Sequence, residues 1–155
     1  MPQRKSARRS AELKRTFPAV PKQADHALEE VLQWLQTTRC ACGDLDEIRA
    51  ALREALNNAL RHGCRLDPNK RVHLLCRCHP DAGLELVLRD EGEGFDPNQV
   101  PDPTTAENLE RFSGRGLYMI RQLMDEVEFG DGGREIRMRR RPRRHPNRSA
   151  SVESS

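Results

Sequence analysis

Aromatic side chains are scarce in this 155-residue chain, which has one Trp, one Tyr and four Phe. Proteins that hold single-stranded nucleic acid stack its bases on such side chains. Direct nucleic-acid binding is therefore not expected, and no groove-binding motif argues otherwise. Long apolar runs are missing as well, since none approaches the roughly 18 residues of a membrane-spanning helix. The basic N-terminus also lacks the apolar segment of a secretory signal. The expected compartment is the cytoplasm, with no membrane partner.

Two common nucleotide-binding signatures are absent. No stretch fits the phosphate loop G-x4-G-K-[ST], and the glycines after Asp90 do not form a dinucleotide fingerprint, because position 97 is Pro and no helix follows directly. Five cysteines, Cys40, Cys42, Cys64, Cys76 and Cys78, form two C-x-C pairs and one single. An odd count without a signal peptide argues against a disulfide framework. His62, His73 and His79 lie nearby, but C-x-C is not the C-x2-C spacing of structural zinc. Cys76 and Cys78 instead have the spacing that puts both on one buried strand face, so reduced thiols are expected.

What is present fits one domain. The composition, 35% hydrophobic against 33% charged, can build a core at this length. The net charge of +3 is concentrated at the ends. Residues 1–15 and 141–155 are rich in Arg, Ser and Pro and poor in apolar side chains, so they are expected to be disordered tails, leaving 16–140 as the folded domain.

Within that domain, Thr16 to Val20 suggest a short first strand, and apolar residues at helical spacing (Ala27, Leu28, Val31, Leu32, Leu35) predict a helix from about Pro21 to Thr38. Asp44 and Glu47 have the spacing of a capping box opening a second helix, and Gly63 has the character of the residue that ends one. Alternation in Val72, Leu74, Cys76 and Cys78, then in Leu84, Leu86 and Leu88, predicts a hairpin ending at Asp90. An irregular stretch up to about Ser113 has the length of a lid. A helix from Gly116 to about Asp125 and a hairpin around Gly130 to Gly133 complete the chain. The expected class is α+β, a two-layer sandwich with helices on one face of a mostly antiparallel sheet.

Three segments carry chemistry. Glu54 and Asn58, four residues apart on the second helix, share a face. That face lies roughly opposite the leucine stripe, where a solvated surface would be the plain expectation. However, the consecutive Asn57 and Asn58 are poor helix formers at about half a kcal/mol each, and an acid plus an amide oxygen suits Mg2+. Asp90 is followed by Gly92 and Gly94, which allow tight turns and close ligand approach. Gly114, Arg115 and Gly116 lead straight into Leu117 and a helix, whose first N–H groups and dipole favour an anion.

The order E-x3-N-A-x2-H-G, D-x-G-x-G-F and G-x-G-L resembles the N, G1 and G2 boxes of the GHKL superfamily, which shares the Bergerat ATP-binding fold. The small size and the Met124-Asp-Glu-Val127 segment are most similar to the bacterial anti-sigma-factor serine kinases. The resemblance implies ATP and Mg2+ as cofactors. It implies Glu54 as the catalytic base and Asn58 as the metal ligand, within an N box that also contains Asn57 and His62. Asp90 would read the adenine amino group beside Gly92 and Gly94, while Gly114, Arg115, Gly116 and Leu117 would cradle phosphates under a lid over about 101–113. The implied partners are an STAS-type anti-anti-sigma protein, phosphorylated on serine, and an RNA polymerase sigma factor, with room for a homodimer. The alternative is a non-catalytic ATP-binding module acting by protein contacts alone. One departure stands out, because family members often carry Thr where this chain has Arg134.

Overall fold

Alternation of apolar and polar side chains builds a single sheet. The computed structural model describes residues 10–92 and 116–143. The strands are β1 (Ala11–Pro18), β2 (Arg71–His79), β3 (Gly83–Asp90), β4 (Glu126–Gly130) and β5 (Glu135–Arg140). They lie in the order β1-β2-β3-β5-β4, and every neighbouring pair is antiparallel. Register puts Leu74 opposite Leu88 and Cys76 opposite Leu86, which in turn faces Met138. One sheet face thus becomes a continuous apolar surface.

Among the described residues, three α-helices cover that face: α1 (Pro21–Thr38), α2 (Leu45–Asn58) and α3 (Gly116–Leu123). α1 buries Ala27, Leu28, Val31, Leu32 and Leu35, and α2 buries Ile48, Ala51, Leu52, Ala55 and Leu56. The uncovered sheet face is laced with ion pairs. Arg139 Nε donates to Glu85 at 3.0 Å, and Arg77 Nε to Glu12 at 2.9 Å. Exposed pairs of this kind add little stability, but they keep an open sheet face polar. The two-layer α+β class and the order of elements agree with the sequence reading.

Four local expectations need correction. The first strand begins at Ala11 rather than Thr16, inside the expected tail. The ladder from Ala11↔Cys78 to Pro18↔Arg71 satisfies its backbone, and Arg15 bonds Glu30 of α1 at 3.1 Å, so few apolar side chains are needed. At the other end, Arg141 N donates to Asp125 at 2.7 Å and Arg143 N to Ala41 O at 2.6 Å. Contacts with the rest of the domain therefore extend past 140, as far as Arg143.

The third correction concerns sulfur. Cys40 and Cys78 form a disulfide with Cα atoms 6.0 Å apart. Parity could not reveal that the inward face of β2 brings Cys78 against the connection between α1 and α2. Cys42, Cys64 and Cys76 are buried free thiols, and burial pushes Cys76 up to about 12, far from a reactive thiolate. Among the described residues, no group of three or more His, Cys, Asp or Glu is arranged to hold a metal ion, and no helix is long and apolar enough to cross a membrane.

The fourth concerns the start of α2. Asp44 caps it by accepting from Asp46 N at 2.8 Å, yet Glu47 does not close the capping box. Its carboxylate pairs instead with Arg140 Nη2. Arg140 is 2% exposed, and its Nη1 donates to Leu123 O at 3.2 Å. One guanidinium thereby joins the start of α2, the end of α3 and the end of β5. Glu47→Ala would strand that buried charge, and a loss of about 2–4 kcal/mol is expected from urea unfolding. Glu29→Ala, which breaks an exposed pair with Arg49, should cost less than about 1 kcal/mol. Equal costs would contradict the role given to Arg140.

Candidate functional site

The helical segment that carries the first motif does not end as an ordinary helix. Beyond Asn58, α2 continues as a π-helical turn over Ala59–Gly63, which buries Ala59 and Leu60 and brings Gly63 against the end of β3. Wider turns of this type often mark functional sites. Gly63 is not the left-handed terminator that its type suggests. Positive φ falls at Arg65 and Leu66 instead, at 54° and 55°. Glycine is required at 63 for space, since a Cβ there would lie 2.4 Å from the carboxyl carbon of Asp90.

Two groups of side chains are brought together. In the first, Glu54 and Asn58 of α2 face the start of α3. A Cβ on Gly116 would sit 2.9 Å from Glu54 Oε2 and 3.8 Å from Asn58 Oδ1, so glycine lets the helix terminus close on the acid and the amide. The face is therefore not an ordinary solvated surface. Both amide atoms of Asn58, Nδ2 and Oδ1, are buried without a hydrogen-bond partner among the described residues. Such an orphaned amide costs about 1–3 kcal/mol, and a missing ligand is a physical explanation for it.

In the second group, Asp90 closes β3 and turns back on itself, with its Oδ1 accepting from Gly92 N at 2.8 Å. Gly92 leaves no room for a side chain, because a Cβ would lie 2.1 Å from Gly63 O. From the far side, Arg134 Nε donates to Gly92 O at 2.8 Å, while Arg134 O accepts from Asp90 N at 2.9 Å. Burial raises the Asp90 pKa above its ordinary value, opposed by the Gly92 N–H and the cations Arg134 and Lys70. A half-buried carboxylate is suited to accept from an amino group on a planar ring.

Sequence reasoning placed these residues unevenly. Glu54, Asn58 and Gly116 converge, as do Asp90 and Gly92. Asn57 and His62 are exposed on the same helical segment, and the Leu117 side chain is buried. Gly94, Gly114, Arg115 and the lid over about 101–113 lie outside the described residues. Two contributors were missed as site residues. Gly63 was legible as the last residue of the first motif and as a helix terminator but not as a site residue, and Arg134 only as a departure from a family pattern.

The comparisons with known proteins agree with the fold. A model of the histidine kinase-like ATPase domain matches residues 17–140, and the chain belongs to that family, within the GHKL superfamily. It is 32% identical over 114 residues to the anti-sigma F factor of Priestia megaterium, covering 72% of this chain and 77% of that protein. It is 31% identical over 120 residues to the anti-sigma F factor of Oceanobacillus iheyensis, covering 76% and 81%. Serine-protein kinase RsbW of Bacillus subtilis is 32% identical over 90 residues, 54% of this chain and 56% of that protein. The crystal structure of the RsbU and RsbW domains of Rv1364c from Mycobacterium tuberculosis superposes with a TM-score of 0.56 at 20% identity, covering 87% of this chain and 34% of that one. That likeness supports the Bergerat fold.

The raised pKa of Asp90 has a consequence for stability. A carboxyl whose folded value lies above its unfolded value destabilises the fold when ionised. The penalty is present in full above the folded value, shrinks as the pH falls through it, and is gone below the unfolded value. Asp90→Asn, which keeps the acceptor for Gly92 N, should therefore unfold at higher urea than the parent at pH 7. The gap should close on acidification, as followed by urea midpoints across pH. A variant less stable than the parent at pH 7 would contradict the assigned desolvation.

Proposed function

We propose that this protein is an ATP-dependent serine kinase that also acts as an anti-sigma factor, with a serine of an STAS-type anti-anti-sigma protein as acceptor and an RNA polymerase sigma factor as second partner. The observation that carries the reading is the buried, unpartnered amide of Asn58 beside Glu54 at the glycine start of α3. The names of the relatives support serine-kinase activity and a sigma-factor partner, and the STAS-type acceptor rests on the resemblance of the motifs.

Each residue has a definite task. The Asp90 carboxylate accepts from the exocyclic amino group of adenine. The first N–H groups of α3, aided by the helix dipole, donate to phosphate oxygens. Asn58 Oδ1 fits a hard cation and would hold Mg2+, which when bound neutralises phosphate charge. Glu54 takes the proton from the serine hydroxyl as its oxygen bonds to the γ-phosphorus and ADP leaves with the electrons of the broken P–O bond. Phosphoryl transfer depends on positioning and charge neutralisation more than on covalent help from the protein, so this small kit suffices.

Binding and transfer can be separated. Glu54→Gln keeps size and hydrogen bonding but cannot accept a proton, so transfer to the acceptor protein should fall by about 10²–10⁴-fold with ATP affinity little changed. Asn58→Ala should weaken Mg-ATP binding and transfer together. Phosphoserine mass spectrometry and calorimetry on both variants provide the check. Full phosphorylation by Glu54→Gln would remove the assigned base, and a parent that binds ATP but phosphorylates no STAS protein would make this a non-catalytic binding module.

A further inference from the structure

We propose that Arg134 is a positioning residue that fixes the shape of the Asp90–Gly92 loop and thereby sets selectivity for adenine over guanine. This rests on the reading of that loop as the adenine wall.

Residue 134 grips the loop at both ends. Its backbone carbonyl accepts from Asp90 N at 2.9 Å, and its side-chain Nε donates to Gly92 O at 2.8 Å. Between those points the loop makes its own turn, Gly92 N to Asp90 Oδ1. The opposite side is closed by Gly63, whose carbonyl touches Gly92 so closely that no side chain fits. Glu91, within the loop, is tied to β2, its carboxylate accepting from Arg71 N at 2.8 Å. At Gly92 itself, the Arg134 guanidinium is the side-chain tether among the described residues.

The guanidinium is itself held. Asp131, Gly132 and Gly133 all adopt positive φ, at 50°, 62° and 87°, a left-handed turn that delivers Arg134 toward β3. Arg134 Nη1 donates to Asp131 O at 3.1 Å, and Arg89 Nε pairs with Asp131 Oδ2 at 2.9 Å. A Thr at this position could not span to Gly92 O while keeping its own carbonyl on Asp90 N. It would also bring no charge. The Arg134 cation opposes the burial that raises the Asp90 pKa and so favours the ionised, acceptor-only carboxylate. An ionised carboxylate accepts from the amino group of adenine and repels the carbonyl that guanine presents in its place. Holding that carboxylate in register and ionised favours one purine and disfavours the other.

The test compares Arg134→Thr, which loses both reach and charge, with Arg134→Lys, which keeps the charge but lacks the planar fork. For Arg134→Thr, calorimetry should give about tenfold weaker ATP binding, the equivalent of one charge-assisted hydrogen bond, and a reduced ratio of ATP to GTP affinity. In the transfer reaction the KM for ATP should rise by a larger factor than kcat falls, because the role assigned to the loop is toward the base. In the nucleotide-free protein, the Gly92 amide should exchange faster by NMR in both variants, and Arg134→Lys should recover part of the ATP affinity through charge alone. If the Thr variant does not fold, the Lys variant carries the same exchange and selectivity readouts. Unchanged Gly92 exchange and an unchanged affinity ratio, with ATP binding intact, would overturn the role of Arg134 alone. A parent that does not bind ATP would overturn the adenine-wall reading and the selectivity with it.

Discussion

The Asp90 carboxylate at the end of β3 is buried enough for its pKa to rise, and much of the local architecture serves to hold it there. Gly63 must be glycine because the carboxylate occupies the space of its side chain, and Gly92 must be glycine because the Gly63 carbonyl occupies the space of its own. The π-helical turn after α2 places Gly63 at that point, and the last hairpin brings Arg134 from the other side. A desolvated carboxylate is a poor choice for stability. It is a good choice for recognising a group that replaces the lost water.

The second unfavourable feature has the same logic. Asn58 buries an amide with no partner among the described residues on a helix whose other face packs into the core. Buried polar groups left unpaired in an otherwise well-packed protein tend to be sites where a ligand completes the structure. The two features sit on adjoining elements, α2 with its π-helical extension and the end of β3. The same segment that presents Asn58 and Glu54 goes on to shape the Asp90 loop.

Much of this was legible in the sequence, because periodicity reports burial. The alternation in β2 and β3 and the helical stripe of α2 defined elements whose inward residues are the core. The motif spacings brought Glu54 and Asn58 together and put Asp90 at a strand end. The strand at Ala11–Arg15 was not legible, since composition cannot show a neighbour that supplies hydrogen bonds. The Cys40–Cys78 pair depends on a contact between β2 and a distant connection. The capping box failed because Arg140, many residues away in sequence, competes for Glu47. Gly63 was misread because glycine serves both left-handed turns and close approach, and only three-dimensional context separates the two.

The central claim is that α2, β3 and α3 together form a Mg-ATP site completed at Asn58. Calorimetric titration of the parent with ATP, once with Mg2+ and once with the metal chelated, tests it most directly. One nucleotide per chain, bound strongly with Mg2+ and at least about tenfold more weakly without it, is the predicted result. Equal affinity with and without the metal would contradict the assignment of Asn58, and no binding in either arm would contradict the site as a whole.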